Sequence, residues 1–112
     1  QGIAQALSEE FVYTSEGQPL TGTLLDYAIP TADGLPQLIL ETLETLSPTN
    51  PLGVKGVGEL PTVAAPVAVA NAVMDALSSV GVRHIDTPLT TEKIWRALHG
   101  APILAPGGPG VP

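Results

Sequence analysis

The loop "SPTNPLGVKGVGEL", residues 47–60, contains the residues of this chain that are best suited to chemistry. Its glycines let the backbone approach a bound molecule closely, because they carry no side chain. Glu59 ends the glycine run and is the only acidic residue between Glu44 and Asp75. A single carboxylate at the end of such a loop is a candidate general base.

Two roles are open for Glu59. A predicted helix follows it, and the positive end of the helix dipole, together with Lys55, favours the ionised carboxylate. Burial in the apolar segment that follows would favour the protonated form instead. A carboxylate held between these influences can accept a proton near neutral pH. Alternatively, Glu59 is an acid at a helix start whose charge complements the dipole.

The glycine loop does not match the common phosphate-binding fingerprints. Lys55 precedes the last glycines and no Ser or Thr follows it, which differs from the P-loop. The spacing of Gly53, Gly56 and Gly58 is not G-x-G-x-x-G. The backbone N–H groups of a glycine loop at a helix start can nevertheless bind an anion.

The other ionisable or nucleophilic groups have structural explanations. His84 and His99 lack a second ligand at metal spacing, so we expect surface histidines and not a zinc site. Glu9 and Glu10 are adjacent, point apart on a helix, and are expected on a solvated face. The serines lack the G-x-S-x-G setting of a hydrolase nucleophile.

A helix over residues 63–80 must position Glu59, and this segment is almost entirely Ala, Val, Leu and Met. Thr62 is a suitable N-cap, Pro66 is tolerated in the first turn, and Gly81 fits the position beyond the end. A helix that is apolar on all sides is a buried helix. We therefore expect the rest of its domain to cover it.

The remaining segments predict an α+β fold. Apolar spacing predicts a first helix of about three turns in "GIAQALSEEFVY", and Thr90 and Gly100 bound a short helix in "TTEKIWRALHG". Residues 20–30 are predicted to be extended, and residues 38–46, "LILETLETL", to form a strand. The expected architecture is a two-layer, mixed sheet with packed helices that is incomplete on its own.

Composition restricts the partners of the chain. The formal net charge is −7 with four Lys and Arg residues, which argues against nucleic acid and against anionic membrane. Only 13% of the residues are charged, so we expect burial against a partner. There is no cysteine for a disulfide, a thiolate metal site or a nucleophile. The longest apolar stretch, residues 60–70, is too short to span a bilayer, and no membrane insertion is expected.

The loop "NPLGVKGVGELP" closely resembles the catalytic-glutamate loop of the molybdenum hydroxylases, the xanthine oxidase family that includes aldehyde oxidoreductases and carbon monoxide dehydrogenase. Further stretches resemble that family's large subunit in the same order: "QGIAQALSEEFVYTSEGQPL", "LLDYAIPTADGLP", "PTVAAPVAVANAVMDAL" and "PLTTEKIWRAL". The resemblance spans nearly all of residues 1–100. Helical periodicity is already under way at Gln1, so we expect a piece of a longer polypeptide.

The resemblance implies a catalytic role for Glu59. It would take a proton at the molybdenum centre and so prepare an oxygen nucleophile for attack on an electron-poor carbon. Gly56, Val57 and Gly58 correspond to the part of the family's loop that passes the metal centre, and they are expected on the cofactor side. No residue of this chain is expected to ligate the metal.

The resemblance also implies cofactors and partners. The cofactor would be molybdenum–molybdopterin, in the cytosine dinucleotide form because the loop is most similar to the bacterial, separate-subunit branch. [2Fe–2S] clusters and FAD are expected on partner subunits or domains. The further partners are the remainder of the large subunit and a small-molecule substrate. The expected location is the cytoplasm. Residues 1–100 would be the C-terminal part of the molybdenum-binding domain, and residues 101–112 a Pro/Gly-rich tail.

Three alternatives to an aldehyde or N-heterocycle hydroxylase stay open. One is oxidation of the carbon monoxide dehydrogenase type. Another is a non-catalytic structural or assembly domain that retains the fold. The third is a stand-alone phosphate- or nucleotide-binding module built on the glycine loop.

Overall fold

The computed structural model of the chain describes residues 1–103, in which the regular structure is helical. Helix α1 spans Gly2–Leu7, α2 spans Leu60–Ser78 and α3 spans Thr91–Leu98. A short 3₁₀ helix at Ala32–Gly34 interrupts the long connection between α1 and α2. The predicted Pro/Gly-rich tail lies outside the described residues from position 104 onward.

Small residues bring α1 into close contact with α2. Ala4 and Ala6 are 3% and 0% exposed. A side chain at Gly2 would collide with the carbonyl oxygen of Pro61 and would place its Cβ 2.5 Å from the Cβ of Ala65. The absence of a side chain at Gly2 therefore sets the distance between the two helices.

α1 is shorter than the predicted three turns. The backbone N–H groups of Ser8 and Glu9 both donate to the carbonyl of Ala4, at 2.9 Å each. The hydroxyl of Ser8 donates to the same carbonyl at 3.3 Å. This convergence of donors ends the helix one turn before the apolar periodicity does.

A small core lies where the end of α2, the connection after it and α3 meet. Its buried residues are Leu77, Ile85 and Leu89, with α3 contributing the partly buried Ile94 and Ala97. The backbone N–H of Leu89 also donates to the carbonyl of Ala6 at 2.6 Å, which joins this core to α1.

Both predicted boundaries of α3 are confirmed. Thr90 is the N-cap, and its hydroxyl accepts a hydrogen bond from the backbone N–H of Lys93 at 3.3 Å. Gly100, with φ +64°, follows the last turn in the left-handed conformation that glycine adopts without strain.

The start of α2 differs from the prediction. Glu59, and not Thr62, is the N-cap residue. The hydroxyl of Thr62 lies in the first turn and donates back to the carbonyl of Glu59 at 2.8 Å. Pro61 favours this earlier start because a proline in the first turn has a suitable φ and needs no intrahelical acceptor. Pro66 consequently lies in the interior of the helix.

α2 is long and apolar enough to cross a membrane, judged by length and composition alone, with a mean hydropathy of 1.5. The apolar stretch predicted from the sequence was limited to residues 60–70, whereas the apolar helix spans Leu60–Ser78. The helix is longer because it accommodates Thr62 and Pro66. Only 6% of that stretch is buried within residues 1–103. The core helix of a large protein meets the same criteria, so this property alone does not indicate a membrane protein.

The predicted mixed sheet is not present in residues 1–103. The structure has one isolated antiparallel bridge, between Tyr13 and Pro19, and no strand in the predicted segments 20–30 and 38–46. In the first of these segments, the N–H of Tyr27 donates to the carbonyl of Thr23 at 2.9 Å and forms a turn. The physical reason is that a strand exists only beside a partner, and apolar alternation cannot supply one.

The expected solvated face at Glu9 and Glu10 is also wrong. Glu10 accepts a hydrogen bond from the ammonium of Lys93 at 3.3 Å, in a partly buried ion pair. Glu9 accepts a hydrogen bond from the Tyr27 hydroxyl at 3.1 Å. Desolvation, followed by the bond to Glu9 and its negative charge, raises the pKa of Tyr27.

Candidate active site

Glu59 lies at the junction between the glycine loop and α2. Its backbone carbonyl accepts hydrogen bonds from the N–H and the hydroxyl of Thr62, at 3.0 and 2.8 Å. Its side chain makes no capping hydrogen bond and is exposed. The predicted position at the helix start is confirmed, whereas the expected burial of the carboxylate does not occur within residues 1–103.

Lys55 does not pair with Glu59 in the described part of the chain. Its ammonium donates instead to the hydroxyl of Thr45 at 2.8 Å. The lysine therefore ties the loop to the preceding segment and leaves the Glu59 carboxylate without a cationic partner. The sequence predicts two positive influences on the Glu59 carboxylate, Lys55 and the helix dipole. Of these two, only the positive end of the α2 dipole lies beside the carboxylate in the structure.

The predicted cofactor-side residues, Gly56, Val57 and Gly58, form an open surface. A Cβ added at either glycine would meet no atom within 4 Å, and the side chain of Val57 is 60% exposed. None of the five backbone N–H groups of residues 55–59 has a hydrogen-bond acceptor among residues 1–103. The loop thus presents five N–H donors that have no acceptor in this part of the chain, and two of them belong to glycines.

Asn50 organises the first half of the loop and was missed by the sequence analysis. Its side-chain amide donates to the carbonyl of Val54 at 2.9 Å, and its carbonyl oxygen accepts from the N–H groups of Leu52 and Val54 at 3.1 Å each. The signal for this turn is present in the sequence "NPLG", since Asn folds over its own backbone in turns and Gly allows positive φ. Gly53 has φ +67° and lies against Leu46.

The chemistry of this donor set fits an oxygen-rich, anionic group. Free N–H groups at a helix start bind phosphate and similar anions, and the glycines allow such a group to approach the backbone. Within residues 1–103 no three His, Cys, Asp or Glu side chains lie close enough together to hold a metal ion. The loop can therefore contact the organic part of a metal cofactor and present one carboxylate to its reacting end.

Comparison with known proteins connects this chain to one family. A family model described as the molybdopterin cofactor-binding domain matches residues 1–36. The chain is 42% identical over 101 residues to the 6-hydroxypseudooxynicotine dehydrogenase complex subunit gamma of Paenarthrobacter nicotinovorans, covering 89% of this chain and 13% of the relative. It is 38% identical over 98 residues to the carbon monoxide dehydrogenase large chain of Hydrogenophaga pseudoflava, covering 88% of this chain and 12% of the relative.

A solved structure shows the same fold. The chain superposes on quinoline 2-oxidoreductase from Pseudomonas putida 86 with a TM-score of 0.77 and 45% sequence identity, over 90% of this chain and 13% of that one. The chain thus spans about an eighth of the length of the proteins it matches. The sequence identities and the shared fold lead to one conclusion: the chain belongs to the molybdenum hydroxylase family and corresponds to part of that family's large subunit.

Proposed function

We propose that this chain is part of a molybdenum-dependent hydroxylase that inserts a water-derived oxygen at an electron-poor carbon of a small molecule. In the overall reaction a substrate C–H bond becomes C–OH, water supplies the oxygen, and two electrons and two protons are released. One observation carries the proposal: the open glycine loop ends at an exposed carboxylate with no cationic partner within residues 1–103.

Glu59 is the general base in this proposal. Glu59 is the N-cap residue of α2, but its carboxylate makes no capping hydrogen bond and does not pair with Lys55. The carboxylate is therefore free to accept a proton. A bound molybdenum–molybdopterin group would supply the oxygen-transfer chemistry and accept the two electrons. Gly56, Val57 and Gly58 would face that group and donate backbone hydrogen bonds to its oxygen atoms, while the rest of the subunit would exclude water from Glu59.

The substrate class that we favour is an aromatic N-heterocycle or an aldehyde. Quinoline, after which the superposed enzyme is named, is an N-heterocycle with electron-poor carbons beside its nitrogen. Carbon monoxide oxidation is a second candidate, because a carbon monoxide dehydrogenase large chain is 38% identical. Parallel assays with quinoline, an aldehyde and carbon monoxide would separate these candidates.

The same proposal includes the domain, the partners and the cofactors. Residues 1–100 would belong to the molybdenum-binding domain, and the remainder of the large subunit would complete it. Separate iron–sulfur and FAD subunits would carry the electrons away. The pterin would be in the cytosine dinucleotide form. The assembled enzyme would be located in the cytoplasm. Two relatives are named as a "complex subunit gamma" and a "large chain", which supports an assembly of several subunits.

Replacement of Glu59 by Gln in the complete enzyme tests the role of the carboxylate. The amide keeps the size of the side chain but cannot accept a proton, so we expect single-turnover reduction of the molybdenum centre by substrate to slow by roughly 10²–10⁴-fold. The loss should affect kcat as well as kcat/KM, and molybdenum content should stay at the wild-type level.

Glu44→Gln is the matched control, because Glu44 is an exposed acid in the segment before the loop. It should leave the reduction rate unchanged. If Glu59 only complements the α2 dipole, Glu59→Gln would cost about 0.3–1 kcal/mol of stability and would leave turnover nearly intact. Near-wild-type reduction in that variant, with full metal content, would exclude Glu59 as the general base.

A further inference from the structure

The loop before Glu59 has two halves that differ in how they are held. In the first half, the side chain of Asn50 makes three hydrogen bonds, one to the backbone of Leu52 and two to the backbone of Val54. These bonds use the amide donor and the carbonyl oxygen together, and they close residues 50–54 into one turn. A side chain that supplies only donors or only acceptors cannot form this set.

Backbone hydrogen bonds also stabilise the turn at residues 50–54. The N–H of Gly53 donates to the carbonyl of Asn50 at 3.1 Å, and the N–H of Ser47 donates to the carbonyl of Gly53 at 3.0 Å. The bond from Lys55 to Thr45 then fixes the residue that follows the turn, at 2.8 Å. The chain is therefore held in place up to position 55.

The second half, residues 56–58, has a single long hydrogen bond, from the Leu60 N–H to the Val57 carbonyl at 3.4 Å. Its backbone N–H groups have no acceptor within residues 1–103, and added Cβ atoms at Gly56 and Gly58 would meet nothing. Two glycines also give this stretch more conformational freedom than any other residue would. The direction in which it reaches Glu59 is consequently set by its two fixed ends, the Asn50 turn and the first turn of α2.

We infer that Asn50 is a positioning residue for Glu59. Its side chain fixes the upstream end of the glycine stretch, and α2 fixes the downstream end, so that the carboxylate is presented in one place. This inference rests on the proposed role of Glu59 as general base. A displacement of about 1 Å at a reacting group can lower a rate by about 10²-fold, so loss of the turn should be visible in the chemical step.

The test uses the complete enzyme with Asn50→Ala and Asn50→Asp. Asn50→Ala removes all three bonds, whereas Asn50→Asp retains an oxygen that accepts from Leu52 and Val54 but loses the donor to the Val54 carbonyl. We expect single-turnover reduction to slow by roughly 10–100-fold in the Ala variant and by less in the Asp variant. KM and molybdenum content should change little.

Two readouts distinguish positioning from general damage. The first is hydrogen exchange at the amides of Leu52 and Val54, which should become at least about tenfold faster in Asn50→Ala because their acceptor is gone. The second is the effect of Asn50→Ala in a Glu59→Gln background. If Asn50 acts through Glu59, the added loss should disappear there, since interacting residues are non-additive.

Thr49→Val is the matched control. Thr49 is in the same loop, and its hydroxyl contacts the side-chain hydroxyl of Ser47 at 2.8 Å, whereas the bond from Ser47 to Gly53 uses only the Ser47 backbone N–H. It should leave the reduction rate and the exchange at Leu52 and Val54 at wild-type values.

Three outcomes would overturn the inference. Unchanged exchange at Leu52 and Val54 in Asn50→Ala would show that the side chain does not hold the turn. Faster exchange with an unchanged rate would show that the turn does not position Glu59. An undiminished loss in the Glu59→Gln background would show that Asn50 acts on something else. Failure of the general-base proposal itself is read separately, from the Glu59→Gln variant alone.

Discussion

Lys93 is a charged residue that is buried in the described part of the chain. Its side chain is 11% exposed, and its ammonium is paired with Glu10, whose side chain is 24% exposed. Removing one partner from such a pair leaves the other charge partly desolvated, which costs more than an exposed ion pair contributes. The pair therefore fixes α3 against the segment that follows α1.

Replacement of Lys93 by Met tests this connection in the assembled enzyme. Met retains the apolar stem but leaves Glu10 without its partner, so we expect the free energy of local opening of α3 to fall by about 1–3 kcal/mol. Hydrogen exchange at the α3 amides measures this quantity. Glu92→Gln is the control, because it breaks the exposed pair with Arg96 and should cost at most about 0.5 kcal/mol. An equal effect of the two variants would contradict a special role for the partly buried pair of Lys93 and Glu10.

The sequence located the acidic residue at the loop end but not its surroundings. Glu59 was identifiable because it is isolated among glycines next to a helix start. The partners of Lys55, Glu10 and Asn50 were not identifiable. Two of these side chains bond to residues that only the folded chain brings near, and Asn50 bonds within a turn that the sequence analysis did not consider.

At the scale of elements, the contact between α1 and α2 depends on Gly2. A Cβ there would collide with the backbone carbonyl of Pro61 and lie 2.5 Å from the Cβ of Ala65. Neither atom belongs to a flexible side chain, so the helices themselves would have to separate. A gain in helix propensity from alanine, about 0.5–1 kcal/mol, would oppose this effect but is smaller than the cost of overpacking.

Gly2→Ala should therefore lower the stability of the assembled enzyme by about 1–3 kcal/mol. The shift should be visible as a lower Tm and as faster hydrogen exchange in α1. Gly22→Ala is the comparison, because an added Cβ there would lie 3.8 Å from the nearest atoms of Pro19, at an ordinary contact distance. A Gly2→Ala variant as stable as Gly22→Ala would show that α1 is free to move away from α2.

The helices were more predictable than the predicted strands, for a physical reason. The N-cap at Thr90 and the left-handed glycines at 81 and 100 are local features, and each was found from a few neighbouring residues. The early end of α1 depends on bonds that converge on Ala4, and the missing strand at 38–46 depends on a partner strand. The partner strand is not contained in the local pattern, whereas the bonds from Ser8 and Glu9 to Ala4 are local but do not follow from apolar spacing.

At the scale of the whole molecule, residues 1–103 lack the compactness of an independent domain. The hydrophobic side chains buried in this part of the chain are those of Ala4, Ala6, Leu77, Ile85 and Leu89. Large apolar side chains such as Leu25, Ile39 and Leu43 are at least 90% exposed.

The isolated 112-residue chain should consequently aggregate or remain molten when it is expressed alone. We expect strong binding of a hydrophobic dye such as ANS and no cooperative transition in calorimetry. The complete large subunit under the same conditions is the reference. A sharp calorimetric transition of the lone, monomeric chain would contradict the expectation.

The pair of Glu10 and Lys93 joins positions that are 83 residues apart in sequence. The connection between α1 and α2 runs away from the three helices and then returns to them. An unbroken connection is not what holds α1 against α2. Packing of α1 on α2, the Leu89–Ala6 hydrogen bond and the ion pair do so without it. Two separately translated pieces, divided after Gly34, could therefore reassociate inside the finished subunit, with the first piece retained by noncovalent contacts alone.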